Sequence, residues 1–133
     1  MEEMQKRIER AVELFKNGYN CSQSVVAAFA DMYGFTEEQA LRMSASFGGG
    51  IGRMRETCGA ACGMFILAGL EKGSVVAGDH AGKAANYALV QELAAEFRKR
   101  YLMPCKSQTV IKMWLLYFQQ LFLPPDWQSP WHT

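Results

Sequence analysis

Apolar residues along the chain recur at intervals of three and four, and no stretch alternates with a period of two. Residues 3–16 carry Met4, Ile8, Ala11, Val12 and Phe15 on one stripe with charged residues opposite, which predicts an amphipathic helix. Asn17-Gly18 ends it, because glycine accepts the left-handed cap conformation. Asn20 is a good N-cap for a second helix through Cys21, Val25, Ala28, Phe29 and Met32 to Gly34. Thr36 and Gln39 read as a capping box opening a short third helix that fades near Ser46.

Residues 47–52, Phe-Gly-Gly-Gly-Ile-Gly, predict a tight irregular loop. A fourth helix is expected from about Thr57 to Glu71, closed by Gly73. It is apolar on most sides, so it should be the central buried helix. Gly59 and Gly63, four apart, would let another helix approach closely. Asp79 caps a fifth helix carrying Tyr87, Val90, Leu93, Ala94 and Phe97 and ending near Tyr101. Pro104 interrupts, and a last helix is expected over residues 107–122, with an irregular tail from about 124. The expected fold class is all-α: a single-domain bundle of five or six helices spanning residues 1–133.

Composition narrows the function classes. A chain of 133 residues fits one domain, and a core of that size does not need disulfides to fold. The formal net charge of +1, without a basic block, gives no electrostatic case for nucleic acid. The charged N-terminus has no apolar core of a secretory signal. The longest apolar stretch, Val110 to Leu123, is too short and too polar for stable membrane insertion. The expected compartment is the cytoplasm, where four cysteines are better read as thiols, redox groups or metal ligands than as structural disulfides.

Cys21 and Cys58 both fall at predicted helix starts, where unpaired N–H groups and the macrodipole favour a thiolate. Arg53 and Arg55 lie just upstream of Cys58 and would add to this; Glu56 would oppose it. Cys58 and Cys62 are one turn apart on a helix face, with Cβ atoms about 5–6 Å apart. A disulfide wants about 3.8 Å, so these two should not pair within an intact helix. Two thiolates on one metal tolerate such spacing more easily. Cys62 and Cys105 otherwise read as small hydrophobes. The Gly48–Gly52 run is no phosphate loop: no strand precedes it and no Gly-Lys-Ser/Thr follows. It should instead let backbone pass close to the Cys58 helix. His80 is expected at the surface.

Asn20-Cys21-Ser22-Gln23-Ser24-Val25, then Ser46-Phe47-Gly48-Gly49-Gly50-Ile51-Gly52-Arg53, then Glu56-Thr57-Cys58-Gly59-Ala60-x-x-Gly63 occur in order. Over roughly residues 5–105 the chain resembles a family of small helical redox-active proteins with four characteristic cysteines and a Cys-Gly-Ala-x-x-Gly motif. The resemblance implies a thiol redox or metal role, with iron–sulfur binding suggested for some members. Cys21 and Cys58 match the first two family cysteines and Cys105 the third. No cysteine follows Cys105, so the fourth has no counterpart, and Cys62 occupies a variable position of the motif.

Three functions follow as expectations. The first is a thiol redox protein in which Cys58 is the nucleophile and Cys21 the resolving thiol, serving a redox partner protein. The second is a zinc or iron–sulfur module ligated by Cys21, Cys58 and Cys105, with Cys62 as spatial substitute for the missing cysteine. The third is a non-catalytic homodimer with inert cysteines, joined through the aromatic C-terminal segment that holds Trp114, Tyr117, Phe118, Phe122, Trp127 and Trp131.

Overall fold

The computed structural model describes residues 2–100. Among these, five α-helices are present and no strand: α1 (Glu2–Lys16), α2 (Cys21–Phe29), α3 (Glu37–Ser44), α4 (Gly59–Lys72) and α5 (His80–Arg100). The all-α bundle predicted from the hydrophobic pattern is the observed fold. The sixth helix expected over residues 107–122, and the tail, lie outside the described residues.

Helix ends follow local chemistry. Gly18, at φ +103°, closes α1 with paired bonds from its own N–H to Phe15 O (3.2 Å) and from Tyr19 N–H to Leu14 O (3.1 Å), a Schellman arrangement. Asn20 caps α2 reciprocally with Gln23, and Thr36 caps α3 with Gln39. The second helix turns to a 3-10 segment at Ala30–Tyr33 before Gly34 ends it at φ +83°. Asp79 accepts from Gly82 N–H (2.9 Å) at the start of α5.

α2 lies at the centre. α1, α3 and α4 all pack on it, α4 most extensively, and α5 covers another side of α4. The main core joins Met4 and Ile8 of α1, Val25 and Phe29 of α2, Met64 and Leu67 of α4, and Leu93 and Phe97 of α5. Each such side chain contributes about 1.5–3 kcal/mol when fully buried. The α1 stripe differs from its prediction: Leu14 is fully buried, whereas Val12 and Phe15 are half-buried. The apolar face extends further round one side of the helix than the spacing alone indicated. Arg7 ties α1 to the end of α2 by donating to Ala28 O (3.0 Å) and to the Asp31 carboxylate. Among the described residues, no helix is long and apolar enough to cross a membrane.

Candidate functional site

The site is assembled from two helix starts and one loop. Asn20 Oδ1 accepts from Gln23 N–H (2.9 Å), and its Nδ2 donates to Ala45 O (3.1 Å). This fixes the first turn of α2 and with it Cys21. Gly48 lies directly under the Asn20 side chain, where a Cβ would collide with it.

The glycine-rich loop then curls with reversed hand. Gly49, Gly50, Ile51, Gly52 and Arg53 all have φ between +56° and +78°, and Arg55 follows at +60°. Left-handed backbone costs an L-residue about 1–2 kcal/mol, so Ile51, Arg53 and Arg55 sit there only because the surroundings demand it. Bonds from Gly52 N–H to Ser46 O (2.7 Å), Ile51 N–H to Phe47 O (3.2 Å) and Glu56 N–H to Gly50 O (3.0 Å) hold the curl.

The curl presses Phe47 and Gly48 onto the start of α4. A Cβ on Gly59 would stand 2.9 Å from Phe47 O, 3.4 Å from Gly48 Cα and 3.3 Å from Cys21 Sγ. One turn later, a Cβ on Gly63 would stand 3.1 Å from both Ser22 O and Val25 Cβ. The two motif glycines thus form a flat strip on which the first turns of α2 lie, the close approach expected of their spacing.

Cys58 is the N-cap residue of α4 rather than part of its first turn, because the curl holds its backbone extended (φ −53°, ψ 134°). It is buried and disulfide-bonded. Cys62 is a buried thiol, so it is not the other half of that disulfide. As the helical spacing required, Cys58 and Cys62 do not pair. Cys62 Sγ instead faces Thr57 O at 3.8 Å. Burial, and secondarily the proximity of Cys21, push the Cys62 thiol pKa up. Arg53, Arg55 and His80 are exposed.

Two clefts open on the sulfurs. A cleft of about 170 Å³ is lined by Cys58 with Thr57, Ala61, Phe65, Ala94 and Phe97. Another of about 360 Å³ is lined by Cys62 with Phe47, Ile51, Thr57, Phe65 and Ile66. Thr57 and Phe65 belong to both. The sequence reading missed Phe65 as a site residue, since its apolar spacing marked it only as core. It also missed Ser22, whose fully buried hydroxyl has no hydrogen-bond partner among the described residues.

Cys105 and the aromatic C-terminal segment lie outside the described residues. Among the described residues, no cluster of three or more His, Cys, Asp or Glu side chains is placed to hold a metal ion. With Cys58 in a disulfide, these residues alone do not fit a zinc or iron–sulfur site, which needs thiolate ligands.

A family model described as "Putative redox-active protein (C_GCAxxG_C_C)" matches residues 19–114, which includes both helix starts and the loop between them. No curated protein matches the chain, and neither does any solved structure.

Proposed function

Since the chain belongs to the C_GCAxxG_C_C family, described as "Putative redox-active protein", we propose that it carries out thiol–disulfide exchange centred on Cys58, with Cys21 as the second sulfur. The observation that carries this reading is the placement of Cys58. The motif cysteine is held as a disulfide at the N-cap of α4, and Cys21 Sγ lies against the next residue, Gly59.

The chemistry follows from that placement. A thiolate released at Cys58 lies at the positive end of the α4 dipole, which favours it as a leaving group and as a nucleophile. In the reducing direction the Cys58 thiolate attacks a substrate disulfide, forming a mixed disulfide and expelling one substrate thiol. Cys21 then attacks Cys58 Sγ, expelling the second, so that two protein thiols are oxidised as one disulfide is reduced.

Redox titration of the full chain against dithiothreitol or glutathione buffers, read by counting alkylatable thiols, tests this. The expected result is a reversible two-electron step at Cys58 with a potential above about −300 mV, the upper bound of typical structural disulfides. A Cys58 disulfide that resists these buffers, or a Cys58 thiol that never oxidises in them, refutes the reading.

A further inference from the structure

We propose that the chain's own aromatic segment, residues 107–122, folds back as a helix into the groove between α4 and α5 and roofs the two clefts that open on the sulfurs. These residues lie outside the described ones. Such a cover does not depend on the thiol–disulfide reading; it decides what reaches the sulfurs, whatever chemistry they perform.

The groove has a direction. The cleft beside Cys58 is lined by Thr57, Ala61 and Phe65 from the start of α4 and by Ala94, Phe97 and Arg98 from the end of α5. The two helices are therefore antiparallel, joined at their far ends by the loop 73–79. Beyond the half-buried Phe65 the apolar lining continues to Ile66, Ile51 and Phe47, round the cleft at Cys62. A chain leaving α5 at Arg100 starts within a turn of the mouth of this groove.

The segment that follows has the complementary pattern. At 3.6 residues per turn, Val110, Trp114, Leu115, Phe118, Leu121 and Phe122 share one stripe about 140° wide, and Lys112, Gln119 and Gln120 fall outside it. A stripe of that breadth meets two helices across a groove. Residues 101–106 reach about 20 Å when extended, and packed helices lie about 8–10 Å apart, so the link is long enough to reverse the chain. A helix over 107–122 is about 24 Å long, against about 21 Å for α4. Tethering favours this occupant over a second copy. A short link holds the segment at an effective concentration on the order of millimolar, well above that of another molecule in dilute solution.

Tryptophan fluorescence tests the docking. Trp114, Trp127 and Trp131 are the three tryptophans of the chain, and Trp114 alone lies in the helix predicted over 107–122. Full-length protein carrying Trp127→Phe and Trp131→Phe therefore reports on Trp114. The expected result is blue-shifted emission and acrylamide quenching at least about fivefold weaker than for free tryptophan, because a close-packed indole excludes the quencher. This protection should survive about a hundredfold dilution from micromolar protein, as an intramolecular contact does. Phe65→Ser in the groove should raise the quenching. Phe118→Ser in the segment should raise it too and speed alkylation of Cys62, which lines a roofed cleft. Val75→Ser, on the exposed loop, should change neither. Circular dichroism checks that each variant folds, and Phe118→Ser, outside the five helices, carries the test alone if Phe65→Ser does not. The docking is overturned if Trp114 in the folded protein is quenched like free tryptophan. Protection lost on dilution overturns it in favour of a second copy. A folded Phe65→Ser with unchanged quenching, or a Phe118→Ser with unchanged Cys62 alkylation, overturns it in favour of a seat elsewhere on the bundle.

Discussion

Replacing Gly59 by alanine tests whether the motif glycine exists to bring Cys21 and Cys58 together. A Cβ there would stand 2.9 Å from a backbone oxygen, Phe47 O, and 3.3 Å from Cys21 Sγ. The oxygen belongs to a loop already pinned by hydrogen bonds, so it cannot yield cheaply. Overpacking of this kind costs about 1–3 kcal/mol. Gly69 on the same helix is the control, since a Cβ there meets nothing within 4 Å. Gly69→Ala should therefore stabilise by about 1 kcal/mol through helix propensity alone. The two variants should shift stability in opposite senses and differ by about 2–4 kcal/mol. With a urea slope of about 2 kcal/mol/M, that separates their midpoints by about 1–2 M. Alkylation of Cys21 under native conditions supplies a second readout. It should accelerate in Gly59→Ala, where the thiol is levered off α4, and stay unchanged in Gly69→Ala. Equal stabilisation of both variants, with unchanged Cys21 reactivity, would refute the close-approach account of the motif.

Other outcomes follow from the same geometry. Asn20→Ala removes the cap on Gln23 N–H and the bond to Ala45 O; it should cost about 0.5–2 kcal/mol, read by urea unfolding, and speed Cys21 alkylation. The raised Cys62 pKa means its thiolate fraction lies below that of an ordinary thiol, so its alkylation should lag a model thiol at pH 8 and catch up only in stronger base. In the same direction, the unfolded chain loses this proton first as pH rises, so stability should fall above about pH 8.5, and Cys62→Ala should flatten that fall. Arg7→Ala, which removes bonds to Ala28 O and Asp31, should destabilise by about 1.5–3 kcal/mol. Arg42→Ala, which breaks the exposed pair with Glu38, should change stability by less than about 0.5 kcal/mol; both are read by thermal or urea unfolding.

Much of this architecture was legible because its causes are local. The Asn20 and Thr36 caps, the glycine stops and the apolar body of α4 are written within a few residues of where they act. The close approach at Gly59 and Gly63 could also be read, since two small residues one turn apart have few other uses. What could not be read depends on how elements rotate against each other. Cys62 looked like a small hydrophobe, and only the docking of α2 onto the Gly59 turn sets it beside Cys21. Leu14 was hidden for a similar reason: the width of a buried stripe is decided by the partner helices. The loop was foreseen but its hand was not, because glycine permits positive φ without requiring it, and Ile51, Arg53 and Arg55 give no hint of adopting it.

That reversed hand bears on how the chain meets proteases. Arg53 and Arg55 are exposed and would ordinarily be favoured points of tryptic attack, as basic residues in surface loops are. A protease, however, binds its substrate as an extended strand, and the curl from Gly49 to Arg53 is tightly coiled in the opposite sense. Cleavage must wait for local opening of the loop. Phe47 and Gly48, at the base of that loop, are the groups pressed against Gly59. Anything that loosens the seat of the sulfurs therefore lets the loop uncoil, and brief exposure of the native protein to trypsin would record it as a nick beside Arg53 or Arg55.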